Sequence, residues 1–121
     1  MNILIVDDNA QVRETIKKII GDPGVRYFEC DNGAKALELY SQIRPVWVLM
    51  DIMMPGLNGI QATQDIIAEY PDARIAIVTN FDDKEYRTAA KDAGARAYIL
   101  KEDLTKLREV CVIDESQENL F

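Results

Sequence analysis

The chain has 121 residues, a formal net charge of −7 and no histidine. That length suits one domain burying roughly two-thirds of its unfolded surface. The charge argues against a nucleic-acid or anionic-membrane surface, and the missing imidazole excludes histidine metal sites, Ser-His-Asp triads and a phosphohistidine on this chain.

The apolar runs fall far short of the ~20 residues of a membrane span. The opening MNILIVDDNA lacks the basic start of a signal peptide. Cys30 and Cys111 show no metal-ligand spacing, so buried reduced thiols in a cytoplasmic protein are expected rather than a disulfide.

NILIV (2–6) predicts a first strand. Over 10–20, Val12, Ile16, Ile19 and Ile20 share one helical face, with Arg13 and Lys17 off it. VRYFEC (25–30) is the second strand. Ala36, Leu37, Tyr40 and Ile43 then repeat at helical spacing over 33–43, behind Asp31 and Asn32, which can cap. VWVLM (46–50) is the third strand. Ile60, Ala62, Ile66, Ile67 and Tyr70 mark a helix over 58–70, stopped by Pro71. RIAIVT (74–79) is the fourth strand, and the helix over 83–93 ends at Gly94. RAYIL (96–100) is the fifth strand. Leu104, Leu107, Val110 and Cys111 fall on one side of a helix over 103–113.

Three of the five strand runs are apolar on consecutive residues, as in strands buried on both faces of a parallel sheet. The βαβαβαβαβα order predicts an α/β doubly wound, five-stranded parallel sheet with helices on both faces and strand order 2-1-3-4-5. In such sheets the ligand site lies beyond the carboxyl ends of the strands, where the order reverses, here between the first and third strands. The first strand ends in Asp7 and Asp8, the third in Asp51, the fourth in Thr79, and Lys101 follows the fifth.

A single aspartate after a strand is ordinarily a helix cap or turn former. Three converging carboxylates are different. Two like charges ~4 Å apart repel by about 4 kcal/mol at an effective dielectric of 20, so three cost on the order of 10 kcal/mol. Mg²⁺ and the Lys101 ammonium would relieve that. Asp51 is therefore expected to be a carboxylate placed for modification, able to attack phosphorus and form an acyl phosphate. Lys101 would pair with a phosphoryl oxygen and Thr79 would donate a hydrogen bond to another. Pro55 and Gly56 turn the chain away from Asp51, and Met53 or Met54 can offer a backbone carbonyl to the metal.

ILIVDDN, MDIMMPGLNG, IVT and YILK together resemble the receiver domain of bacterial two-component response regulators, over residue 2 to about residue 110. The stretch FDDKEYRTAAKDAGARAYILKEDL is most like the subgroup that precedes a LuxR-type helix-turn-helix domain. The resemblance implies Asp51 as phosphoacceptor, Asp8 as direct Mg²⁺ ligand, Asp7 acting mostly through water, and Met53 giving its carbonyl. It implies phosphoryl contacts from Thr79 and Lys101, and Tyr98 as an aromatic switch that turns inward when Thr79 moves. It further implies a regulatory domain rather than an enzyme, with a sensor histidine kinase or phosphotransfer protein as partner. Its output surface would be the fourth helix, fifth strand and fifth helix, and it admits a homodimer on phosphorylation. Two positions depart from the family pattern. Asn80 follows Thr79 where a small residue is usual, and Glu102 follows Lys101 where proline is common.

Other functions fit less well. An aspartyl-phosphate phosphatase resembles DxDx[TV] after its first strand, which VDDNA does not match. A flavin-binding loop needs hydroxyls and amides where Asp7 and Asp8 stand. A receiver reduced to partner binding would not need the full acid, threonine and lysine set. Residues 1–113 form the expected receiver unit. Residues 114–121 are a C-terminal tail or the start of a linker, expected either to be held by an extended last helix or by docking on a neighbouring chain, or to be a truncated linker ordered only by crystal contacts.

Overall fold

The computed structural model describes residues 1–111; the expectations for 112–121 lie outside the described residues. Strands β1 (Asn2–Val6), β2 (Arg26–Cys30), β3 (Trp47–Met50), β4 (Ile75–Thr79) and β5 (Ala97–Leu100) alternate with helices α1 (Ala10–Ile20), α2 (Gly33–Ile43), α3 (Gly59–Glu69) and α4 (Lys84–Ala93). A 3-10 segment, Lys101–Lys106, leads into α5 (Leu107–Cys111). All strand pairings are parallel and the order is β2-β1-β3-β4-β5, as expected.

The consecutive apolar runs have the anticipated cause. Alternate residues of each strand point to opposite faces, and both faces are covered. Leu4, Val6, Val48, Met50, Ile75 and Ile77 pack under α2, α3 and α4 through Ala36, Tyr40, Ala62, Ile66 and Ala90. Ile3, Ile5, Trp47, Leu49, Ala76, Val78 and Ile99 pack under α1 and α5 through Ile16, Leu107, Val110 and Cys111. Among the described residues, β2, at the edge, is the only strand with exposed positions, Arg26 and Glu29. Both cysteines are free and buried.

Asparagines start three of the helices. Asn9 accepts from Gln11 and Val12 N–H, Asn32 from Lys35 N–H, and Asn58 from Gln61 N–H, each satisfying donors that the first helical turn leaves open. Gly94 ends α4 at φ 104°, the left-handed conformation that a glycine adopts without strain.

The last helix differs from expectation. Instead of one helix over 103–113, the chain enters a 3-10 segment directly at Lys101 and breaks helical geometry at Asp103 (φ −118°, ψ 33°). No loop separates β5 from Lys101, and the tighter i→i+3 winding turns the chain within those few residues. The α-helical part begins at Leu107, which is fully buried under α1.

Candidate functional site

The backbone carries the acids to one place. Asp7 prolongs the pairing of β1, its N–H donating to the Cys30 carbonyl at 3.1 Å. Asp51 prolongs β3 in the same way, donating to the Val6 carbonyl at 2.9 Å. Both side chains are buried, Asp7 at 2% and Asp51 at 5% exposure, whereas Asp8 is exposed. One ligand oxygen from each of Asp7, Asp8 and Asp51 lies within 4.8 Å of the others.

Lys101 arrives from the end of β5. Its Nζ lies 2.9 Å from Asp7 Oδ2 and 3.5 Å from Asp51 Oδ1. The shorter contact is an ion pair without hydrogen-bond direction, so the buried Asp7 Oδ2 has a counter-charge but no hydrogen bond. One ammonium among three carboxylates leaves negative charge uncompensated. Burial, reinforced by the Asp7 charge and opposed by Lys101, pushes the Asp51 carboxyl up to about 6. An all-oxygen donor set with an unsatisfied buried carboxylate oxygen is what a small, hard divalent cation takes up, with waters completing its shell. These residues fit Mg²⁺.

The turn behind Asp51 has a requirement that composition did not reveal. α3 begins so close to the end of β3 that a Cβ on Gly59 would lie 1.8 Å from the Asp51 carbonyl oxygen. The Gly59 N–H donates to the Ile52 carbonyl at 2.9 Å. Gly56 sits at φ 79°, the left-handed turn expected after Pro55. Met53 is exposed in this loop, while Met54 is buried.

The other rim is built differently. Thr79, fully buried, pairs in register with Leu100, the residue before Lys101. Its hydroxyl accepts a hydrogen bond from the Phe81 N–H at 3.2 Å. The Tyr98 ring already lies inward at 5% exposure, and its hydroxyl donates to the Phe81 carbonyl at 2.6 Å. Thr79 and Tyr98 thus hold the two sides of one residue. The Arg87 guanidinium lies over the Tyr98 ring, 4.6 Å from its centroid, and pairs with Asp82 at 2.7 Å. Burial pushes the Tyr98 phenol up to about 12, against the pull of Arg87, so it is a hydrogen-bond donor at neutral pH. Asn80 is exposed between these partners.

Of the residues singled out from sequence, Asp7, Asp8, Asp51 and Lys101 are brought into contact range, and Thr79 and Tyr98 are linked through Phe81. Sequence reasoning missed the Asn9 cap and the placement of Gly59 and Phe81. Asn9 stands before an amphipathic stripe and was findable as a cap. The others act through distances no local pattern encodes.

Residues 3–112 match the family model of the response regulator receiver domain, and the chain belongs to that family. It is 38% identical over 104 residues to the transcriptional regulatory protein DegU of Brevibacillus brevis, an alignment covering 84% of this chain and 44% of DegU. It is 38% identical over 100 residues to the chemotaxis protein CheY of Thermotoga maritima, covering 82% of this chain and 83% of CheY. Its fold superposes with a TM-score of 0.85 on a LuxR-family two-component response regulator from Aurantimonas sp. SI85-9A1, at 34% identity, covering 91% of this chain and 81% of that one. The chain spans about half the length of the transcriptional regulators it matches. As a receiver domain it is a regulatory, phosphorylation-dependent switch of two-component signalling. No helix among the described residues is long and apolar enough to cross a membrane.

Proposed function

We propose that Asp51 is the phosphoacceptor, served by Lys101 and Thr79, with Mg²⁺ held by Asp7, Asp8, Asp51 and the Met53 carbonyl. The observation that carries this reading is the Asp51 carboxylate itself. It is buried at a strand end, 3.5 Å from Lys101 Nζ and within reach of two further acids.

The ionised Asp51 oxygen attacks phosphorus and forms an acyl phosphate, and the bond from phosphorus to the donor breaks. These 121 residues hold no histidine, so a phosphohistidine donor lies outside them, on this reading in a sensor histidine kinase or a phosphotransfer protein. Bound Mg²⁺ would supply neutralisation of the phosphoryl oxygens and favour the ionised form of Asp51. Lys101, already between Asp7 and Asp51, pairs with a phosphoryl oxygen. The Thr79 hydroxyl accepts from Phe81 and keeps its own proton to donate to that group.

A local charge change needs a two-state element to be read elsewhere. Thr79 and Tyr98 meet at Phe81, so a shift of Thr79 towards the phosphoryl group changes the position that Tyr98 bonds. The α4, β5 and α5 surface is then the output face. It acts on transcription through a DNA-binding domain outside this receiver unit of residues 1–113, with cytoplasmic location and self-association on phosphorylation as parts of the same reading. The similarity to DegU, a transcriptional regulatory protein, and to LuxR-family response regulators supports this output.

Intact mass after incubation with acetyl phosphate and Mg²⁺ tests the assignment. Wild type is expected to gain one phosphoryl group and Asp51→Asn none; equal labelling of both would remove Asp51 from the role.

A further inference from the structure

Asp8 differs from its neighbour in how it is aimed. Asp7 is buried, and its Oδ1 accepts the Asn9 N–H at 2.8 Å. Asp8 is exposed, and its side chain makes no hydrogen bond or ion pair with a described residue. The direction of the Asp8 carboxylate therefore depends on its backbone. The peptide joining Asp7 to Asp8 is a rigid plane, and its carbonyl accepts a hydrogen bond from Arg13 Nη1 at 2.7 Å. Arg13 is itself held. Its Nε lies 2.9 Å from Glu29 Oε1 on β2, and Lys17, one turn along α1, meets Glu29 Oε2 at 3.0 Å. One guanidinium fork thus ties the acidic turn to the sheet edge and to the first turn of α1.

We infer that Arg13 is a positioning residue for cation binding: it fixes the Asp7–Asp8 peptide and, through it, the line along which Asp8 presents its carboxylate. This rests on the assignment of Asp7 and Asp8 as cation ligands. The effect is geometric rather than electrostatic. The positive charges of Arg13 and Lys17 are matched together by Glu29 and by Glu14, which pairs with Lys17, whereas the fork that reaches Glu29 and the Asp7 carbonyl together is a property of arginine that a lysine ammonium lacks. Groups that orient a ligand carboxylate commonly change metal affinity by ten- to a hundredfold. Here the link is through one peptide, and an effect of roughly tenfold is expected.

The test is calorimetric titration of Mg²⁺ into the full chain, as wild type, Arg13→Ala, Arg13→Lys and Asp8→Ala. Asp8→Ala is expected to lose binding. Arg13→Ala and Arg13→Lys should both bind roughly tenfold more weakly, with the Mg²⁺ needed for half-maximal labelling by acetyl phosphate rising in step. The labelling rate at saturating Mg²⁺ should move less than about twofold, a split that general destabilisation would not produce. Arg13→Ala binding within about twofold of wild type, or Arg13→Lys restoring full affinity, overturns the inference. Should Arg13→Ala not fold, Glu29→Gln loosens the same fork and must still weaken Mg²⁺ binding; no change there is equally fatal. If Asp8→Ala binds Mg²⁺ normally, the cation assignment itself falls. If Asp8→Ala loses binding while Arg13→Ala keeps it, only the role of Arg13 falls.

Discussion

The two rims of the site are held in different ways. On the β1–β3 side, Asp7 and Asp51 sit on ladder hydrogen bonds from the sheet, the chain behind Asp51 is backed by α3 at Gly59, and the turn behind Asp7 is tied by Arg13. On the β4–β5 side, the loop after Thr79 is held at Phe81 by one hydroxyl on each side, with Phe81 itself and Asp82 exposed. The acids are fixed despite their mutual repulsion, and the loop that faces them is secured by bonds worth about 1 kcal/mol each. Fixed charges thus stand on one rim and a lightly latched segment on the other; under the proposed role of Asp51, a change there would be answered across the site rather than beneath it.

The comparison breaks most severely at Gly59. Gly59→Ala places a methyl 1.8 Å from the Asp51 carbonyl oxygen, so α3 or the end of β3 must move. A loss of at least ~3 kcal/mol is expected, read as a large fall in the thermal midpoint, whereas Gly56→Ala, with nothing within 4 Å, should suffer only the smaller strain of its positive φ. Equal stability of Gly59→Ala and wild type would mean that the first rim is not rigid.

Next in size is Asp51→Asn. The folded-state pKa of Asp51 is raised to about 6, so the folded protein binds that proton more tightly than the unfolded chain. The ionised group therefore destabilises the fold. The effect is absent below about pH 4, grows as pH rises towards 6 and is complete above it. Without divalent cation, Asp51→Asn should be more stable than wild type by ~1–3 kcal/mol at pH 7.5, with the difference vanishing towards pH 4. Melting curves across that range are the measurement. Mg²⁺ should shrink the difference by stabilising wild type.

The second rim is probed by smaller changes. Tyr98→Phe keeps the ring and removes the bond to the Phe81 carbonyl, at a cost of about 1 kcal/mol. Thr79→Val removes the bond to the Phe81 N–H at a similar cost. Because both act on Phe81, their double-mutant cycle should show coupling of at least ~0.5 kcal/mol. Simple additivity would mean that Phe81 does not connect them. The smallest effect is expected from Arg87→Ala, about 0.5–1 kcal/mol for loss of the cation over the Tyr98 ring. Tyr98→Phe should retain that contribution, which separates stacking from hydrogen bonding on the same side chain.

The sequence alone determined the order and type of nearly every element. A doubly buried strand needs apolar residues on consecutive positions, and WVLM and IAIVT carry them; an amphipathic helix needs a 3.6-residue stripe, and α1 through α4 carry one. Once those elements are joined by right-handed crossovers, the strand ends that bear Asp7, Asp8, Asp51 and Lys101 must face one another. Tertiary structure decided what happens there. It set Lys101 closer to Asp7 than to Asp51, raised the pKa of Asp51 by burying it, allowed only glycine at 59, engaged Arg13 with the Asp7 carbonyl, and joined Thr79 to Tyr98 through the backbone of Phe81. It also turned the start of the last helix into a 3-10 segment. Periodicity records which face of an element is buried. It carries no record of ångström-scale distances between groups up to 94 positions apart, Asp7 and Lys101 among them, and Coulomb and hydrogen-bond energies depend on those distances.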